Sequence, residues 1–172
     1  MWIFGYGSLI WRPSFAFVER RKAWVEGWAR RLWQGSPDHR GTPESPGRVA
    51  TLVESAGERC GGLAYRIDPL LASEVLAELD HREKAGFDRV TLALHDDDGS
   101  VFAEGIVYVA KTDNPHFLGD ADADAIARHV DASRGPSGEN IEYVRRLVEA
   151  LADLGIHDPH LTAILGRSAS SA

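Results

Sequence analysis

The chain has 172 residues, 44% hydrophobic and 26% charged, enough for one domain with a buried core. A net charge of −7 argues against nucleic acid or an anionic membrane surface as a partner. No apolar stretch is long enough to span a bilayer, no signal segment is expected, and the single cysteine, Cys60, excludes an internal disulfide, so a cytoplasmic protein is expected.

The first apolar run, 2–6, reads as a buried strand that breaks at once into Gly5-Tyr6-Gly7-Ser8. Glycines at a strand end leave backbone N–H groups bare, so such a turn can hold a carboxylate, a phosphate or a developing oxyanion. It can equally be a tight connector between two strands. Trp11, Trp24, Trp28 and Trp33 follow and suggest aromatic surface around this turn. Further strand-like runs are 24–34, 48–54, 61–67, 89–95 and 103–110. Cys60, at the edge of the 61–67 run, reads as a packed core thiol. Between the second and third runs, residues 35–47 have pure loop chemistry, and a loop this long is usually functional or disordered. Asp98-Gly99 marks a hairpin turn.

Three segments carry helical periodicity. The first starts with Asp68 as N-cap and Pro69 at the first helical position, places Leu71, Val75 and Leu79 on one stripe, and ends before Gly86. The second spans 122–133 and stops at Gly135. The third follows Gly138 and runs to about residue 154, with Ile141, Val144, Leu147, Val148 and Leu151 facing inward and Gly155 ending it. Many short strands with the helices mostly late indicate an α+β fold on an antiparallel, barrel-like sheet. Strands and helices do not alternate and the turn lacks a third glycine, which weakens a dinucleotide-binding reading.

Helical geometry singles out Glu83, which continues the i+4 series Leu71, Val75, Leu79 while Glu74 and Glu78 point away from it. A carboxylate buried on that face has a raised pKa and can serve as a base. The alternative is that the helix has already ended, or that Arg82, Lys84 or Arg89 pairs with Glu83. Tyr143 lies at the edge of the third helix's apolar face, either reaching a pocket or sitting as a plain core tyrosine. Asp80 with Glu83 is a weaker carboxylate pair, since three residues apart on a helix they splay by about 60°. Metal readings are poor. His157 and His160 flank an Asp-Pro turn, and Asp120-x-Asp122-x-Asp124 lacks a calcium-loop glycine and reads better as helix N-terminal charge.

The ordered set of residues 4–11, 33–43, 46–53, 64–66, 82–84 and 135–143 resembles the ChaC-like, glutathione-specific γ-glutamylcyclotransferases from Trp2 to about Leu151. The resemblance implies a mixed/antiparallel six-stranded β-barrel of the γ-glutamylcyclotransferase type with flanking helices. Length and the Gly/Ala/Ser composition after Leu165 give the expectation of a single domain over 1–166, followed by a disordered tail over 167–172. The resemblance further implies cleavage of glutathione to 5-oxoproline and Cys-Gly without cofactor or metal. Glu83 then matches the catalytic glutamate, Ile3, Phe4, Gly5, Tyr6, Gly7 and Ser8 the substrate-binding turn, and Tyr143 the pocket tyrosine. The N–H groups of Tyr6, Gly7, Ser8 and Leu9 would hold the substrate α-carboxylate or the oxyanion. The 35–47 loop, with Arg40 or Arg48, would recognise the Cys-Gly end. The family's usual Arg-Glu-Lys-Gly-Gly-Tyr reads here Arg82-Glu83-Lys84-Ala85-Gly86-Phe87, without the first glycine and without the tyrosine hydroxyl. Rival readings are a cyclotransferase for other γ-glutamyl compounds and a catalytically silent anion-binding module.

Overall fold

A computed structural model describes residues 1–169. Five strands close into a barrel: β1 (Trp2–Gly5), β2 (Glu19–Ser36), β3 (Gly47–Arg66), β4 (Phe87–His95) and β5 (Val101–Ala110), in the order β1-β3-β2-β4-β5. All neighbours pair antiparallel except β1 and β5, which close the barrel parallel through Ile3 and Ile106. The barrel is thus mixed and has five strands where six were expected. The expected strands 48–54 and 61–67 are one strand. The polar stretch between them joins the two: Arg59 pairs with Glu26 and Glu54 with Trp28, and a register shift leaves 55–58 between them without a paired residue in β2. Side chains there face solvent, so apolar periodicity does not report them.

Asp68 caps a 3₁₀ turn, Pro69–Leu71, which leads into α1 (Ala72–Arg82). The tighter turn breaks the expected stripe. Leu71 is exposed, whereas Val75 and Leu79 are buried. The remaining helices are α2 (Ala123–Ala132), α3 (Asn140–Asp153) and α4 (Pro159–Leu165), with β6 (Arg134–Gly135) and β7 (Gly138–Glu139) pairing between α2 and α3. Ile126 and Val130, then Ile141, Val144, Leu147 and Leu151, then Leu161 and Ile164 form apolar stripes that pack these helices on one another and on the long β2–β3 hairpin. α4 was not expected. Its sequence signal, Asp158 as N-cap followed by Pro159, is the same device read correctly at Asp68-Pro69. The segment expected as a disordered tail is described as far as Ala169. Ser168 Oγ and the Ala169 N–H both donate to Asp131, and residues 170–172 lie outside the described residues.

Candidate active site

β1 runs out of ladder partners after Gly5, and the chain turns through Tyr6 and Gly7 into a 3₁₀ turn, Ser8–Ile10. The close turn requires glycine at position 5, where a Cβ would lie 2.7 Å from Leu9 Cβ. Gly7 is open on one side, but a Cβ there would sit 3.2 Å from the Tyr143 hydroxyl. The Ile10 N–H donates to Gly7 O and the Arg12 N–H to Ser8 O. The N–H groups of Tyr6, Gly7, Ser8 and Leu9 have no acceptor among the described residues.

This turn forms one wall of a cavity of about 550 Å³, within the size range of small-molecule sites. Residues 4–9 line it together with Glu83 and Tyr143, so the expected site residues converge with one exception. Ile3 does not line the cavity. Its backbone is paired with Tyr65 on one side and Ile106 on the other, and its side chain is wholly buried. Ser36 at the end of β2 and Asp38, His39 and Arg40 of the loop that follows also line it. That loop is ordered, with Arg40 N–H donating to Ser36 Oγ and a turn closed between Thr42 and Ser45. Arg40 reaches Glu139 O and Glu142 with its guanidinium. Arg48, by contrast, does not line the cavity. Its guanidinium donates to Leu32 O and Gly119 O. Trp24, Trp28 and Trp33 do not line the cavity either. Trp11 stays close and packs edge-on against Tyr143 at 5.6 Å.

Glu83 stands one residue past α1. Its N–H still donates to Leu79 O, but φ −96° and ψ 14° take the chain out of the helix. Both alternatives foreseen for this residue therefore hold: the helix has ended, and Arg82 Nε lies 3.2 Å from Glu83 Oε1. The carboxylate nevertheless faces the cavity with 19% of its side chain exposed. Burial raises its pKa above the ordinary glutamate range. Arg82 opposes that shift, Asp38 reinforces it, and the net displacement is upward.

Arg82 is the residue that sequence reasoning missed as a site builder. Besides Glu83 it holds Ser8 Oγ at 2.7 Å, Arg12 O and Ser14 Oγ, so one guanidinium ties the carboxylate to the glycine turn. Its adjacency to Glu83 suggested a mere ion pair. Only the folded arrangement brings residue 8 within reach. On the far side, Gln34 Nε2 donates to Ala85 O at 2.9 Å. Ala85 keeps an ordinary backbone while Gly86 takes φ +98°, so the alanine departure costs no strain.

Tyr143 is buried, and its hydroxyl accepts the Ala50 N–H at 3.1 Å. Burial pushes its pKa up to about 12, so it is a neutral hydroxyl whose own proton has no acceptor among the described residues. Asp80 is not a second acid. It points out of the cavity, to Arg89 and the Tyr108 hydroxyl. Asp122 caps α2, and His160 accepts the Leu32 N–H, so neither belongs to a ligand cluster.

The ChaC-like protein family model matches residues 1–169. A human protein named glutathione-specific gamma-glutamylcyclotransferase 1 is 41% identical over 170 residues, covering 96% of this chain and 77% of its own. A glutathione-specific gamma-glutamylcyclotransferase of Saccharomyces cerevisiae is 34% identical, covering 96% and 94%. The crystal structure of a yeast γ-glutamylcyclotransferase specific to glutathione superimposes with a TM-score of 0.88 at 33% identity, over 99% of this chain and 96% of that one. A further γ-glutamyl cyclotransferase structure, 14% identical, shares the fold at a TM-score of 0.58. With the fold, the cavity and these similarities together, the chain belongs to the ChaC-like family.

Proposed function

We propose that this protein cleaves glutathione to 5-oxoproline and Cys-Gly, with Glu83 as general acid and base. The observation that carries the reading is that one carboxylate of raised pKa shares a cavity with a row of bare amides, tied together by Arg82. The similarity to glutathione-specific relatives supplies the substrate.

The chemistry suits these residues without a nucleophile from the protein. The γ-glutamyl group carries both an amine and an electrophilic γ-amide carbonyl. A cavity that folds the chain so that the amine nitrogen meets that carbon makes the attack intramolecular, worth about 7–11 kcal/mol of barrier when well oriented. A new C–N bond closes the five-membered ring, and the bond to the cysteine nitrogen breaks. Ionised Glu83 takes a proton from the attacking amine and returns it to the leaving Cys-Gly amine, a contribution of about 10²–10⁴-fold. The N–H groups of residues 6–9 hold negative oxygen of the substrate, and Tyr143 donates its free proton into the same space. The loop wall of Ser36, Asp38, His39 and Arg40 recognises the Cys-Gly end. An anion-binding module without catalysis fits poorly, because Glu83 would place a negative charge beside its ligand. A cytoplasmic, small-molecule enzyme agrees with the net charge of −7 and with a thiol at Cys60 that is buried and free.

The test is 5-oxoproline and Cys-Gly formation from glutathione, with γ-glutamyl-alanine and a γ-glutamylamine run alongside. Turnover of glutathione well above the other two is expected. Equal turnover of γ-glutamyl-alanine refutes the role given to the loop wall, and no 5-oxoproline from any of them refutes the activity.

A further inference from the structure

Behind the glycine turn, away from the cavity, Arg30 of β2 is only 2% exposed. It follows an irregularity in the β2–β3 register between Glu26 and Trp28. Up to Gly27 (φ +78°) the buried positions of β2 alternate as Ala23 and Val25, whereas beyond it Ala29 and Arg30 are buried side by side, followed by Leu32 and Gln34. A guanidinium in that position is costly unless its donors are met. Nη1 donates to Asp158 Oδ2 at 2.6 Å, Nη2 to Gly61 O, and Nε to Tyr6 O at 2.7 Å. Arg30 does not line the main cavity. It borders a second one of about 250 Å³ on the other side, beside Cys60 and Asp158.

The bond to Tyr6 O bears directly on the site. The peptide unit is planar and trans, so a carbonyl drawn toward Arg30 sends the N–H of the next residue the opposite way. That residue is Gly7, which lines the main cavity and whose N–H has no acceptor among the described residues. A charge-assisted bond on the carbonyl side also polarises the amide and strengthens its N–H as a donor. We propose that Arg30 is a positioning residue for the reaction, fixing and polarising the Tyr6–Gly7 peptide so that the Gly7 N–H meets negative oxygen of the substrate. This rests on the reading that the turn binds a γ-glutamyl substrate. Lysine cannot replace it, because a single ammonium lacks the planar fork that reaches the turn, β3 and the α4 cap together.

The experiment compares wild type, Arg30→Lys and a control, Ile164→Ala, which opens a hole under α4 at a buried residue lining neither cavity. It reads kcat/KM for glutathione, the thermal midpoint, and the Gly7 amide proton shift in ¹⁵N-labelled protein with and without added 5-oxoproline. Weakening one donor of this kind should lower kcat/KM by about 10–100-fold. The Gly7 proton should move upfield in Arg30→Lys, while Ile164→Ala loses stability but stays within about twofold in kcat/KM. Near-wild-type kcat/KM in Arg30→Lys, a loss no greater than the control's at matched stability, or an unmoved Gly7 proton overturns the proposal. Should Arg30→Lys not fold, the wild-type spectrum decides: a Gly7 amide proton that does not respond to 5-oxoproline overturns it. If wild type forms no 5-oxoproline, the activity reading fails instead, and the Gly7 shift in Arg30→Lys still reports whether Arg30 holds the peptide.

Discussion

Glu83→Gln separates proton transfer from everything else the cavity does. Glutamine has nearly the same volume and keeps an oxygen for Arg82 Nε, so the link from Arg82 to Ser8 and the shape of the cavity should persist. What disappears is a group able to take and return a proton, so kcat should fall about 10²–10⁴-fold, or about 2.7–5.5 kcal/mol of barrier. KM should stay within a few-fold, because the amides of residues 6–9 and the loop wall are untouched. In wild type kcat/KM should decline on acidification through a pKa above the ordinary glutamate value, since burial raises it and only ionised Glu83 is a base. The variant should lack that limb. Stability supplies a second reading. A carboxyl whose pKa is raised by folding contributes stability that is lost as pH rises from the ordinary glutamate value through the folded one. Glu83→Gln should therefore melt higher than wild type at neutral pH, with the gap closing under acid. Steady-state 5-oxoproline assays across pH, paired with thermal melts, check both. A variant with near-normal turnover and unchanged binding sinks the assignment of Glu83.

Removing the opposing cation should exaggerate the same shift. In Arg82→Met the acid limb of kcat/KM should move to higher pH, because Arg82 lowers the Glu83 pKa; an unmoved limb contradicts the ion pair. Tyr143→Phe leaves the buried Ala50 N–H without its acceptor, at a cost of about 1–3 kcal/mol. For a chain of this size that lowers the Tm by roughly 2–12 °C, measurable by calorimetry. Cys60 is 3% exposed and burial pushes its thiol up to about 11, so iodoacetamide at pH 8 should label it only after denaturation. Rapid labelling of the folded protein would show that the second cavity opens.

Much of the local structure is written in short-range chemistry. Asp68-Pro69, Asp122 and Gly155 mark helix ends because caps act over three or four residues. The stripe of α3 follows the helical period closely enough that Ile141, Val144, Leu147 and Leu151 are legible as buried without coordinates. The glycine turn, Glu83 and Tyr143 are recognisable because their residue types are unusual for where they sit, and the family pattern is the source of the roles proposed for them. Other features depend on partners distant in the chain. The polar middle of β3 is held in the strand by the pairing of Glu54 and Arg59 with β2, which no period within residues 54–60 reveals. Leu71 leaves the core because the first turn after Asp68 winds as 3₁₀. Glu83 is a raised-pKa carboxylate through burial in a cavity whose other walls come from residues 4–9 and 35–40, not through helix phase. Arg30 and Arg82 resemble any other arginine in the sequence. Their value comes from acceptors at Tyr6, Ser8, Gly61 and Asp158, and a charge gains such partners only when the barrel closes and excludes water around it.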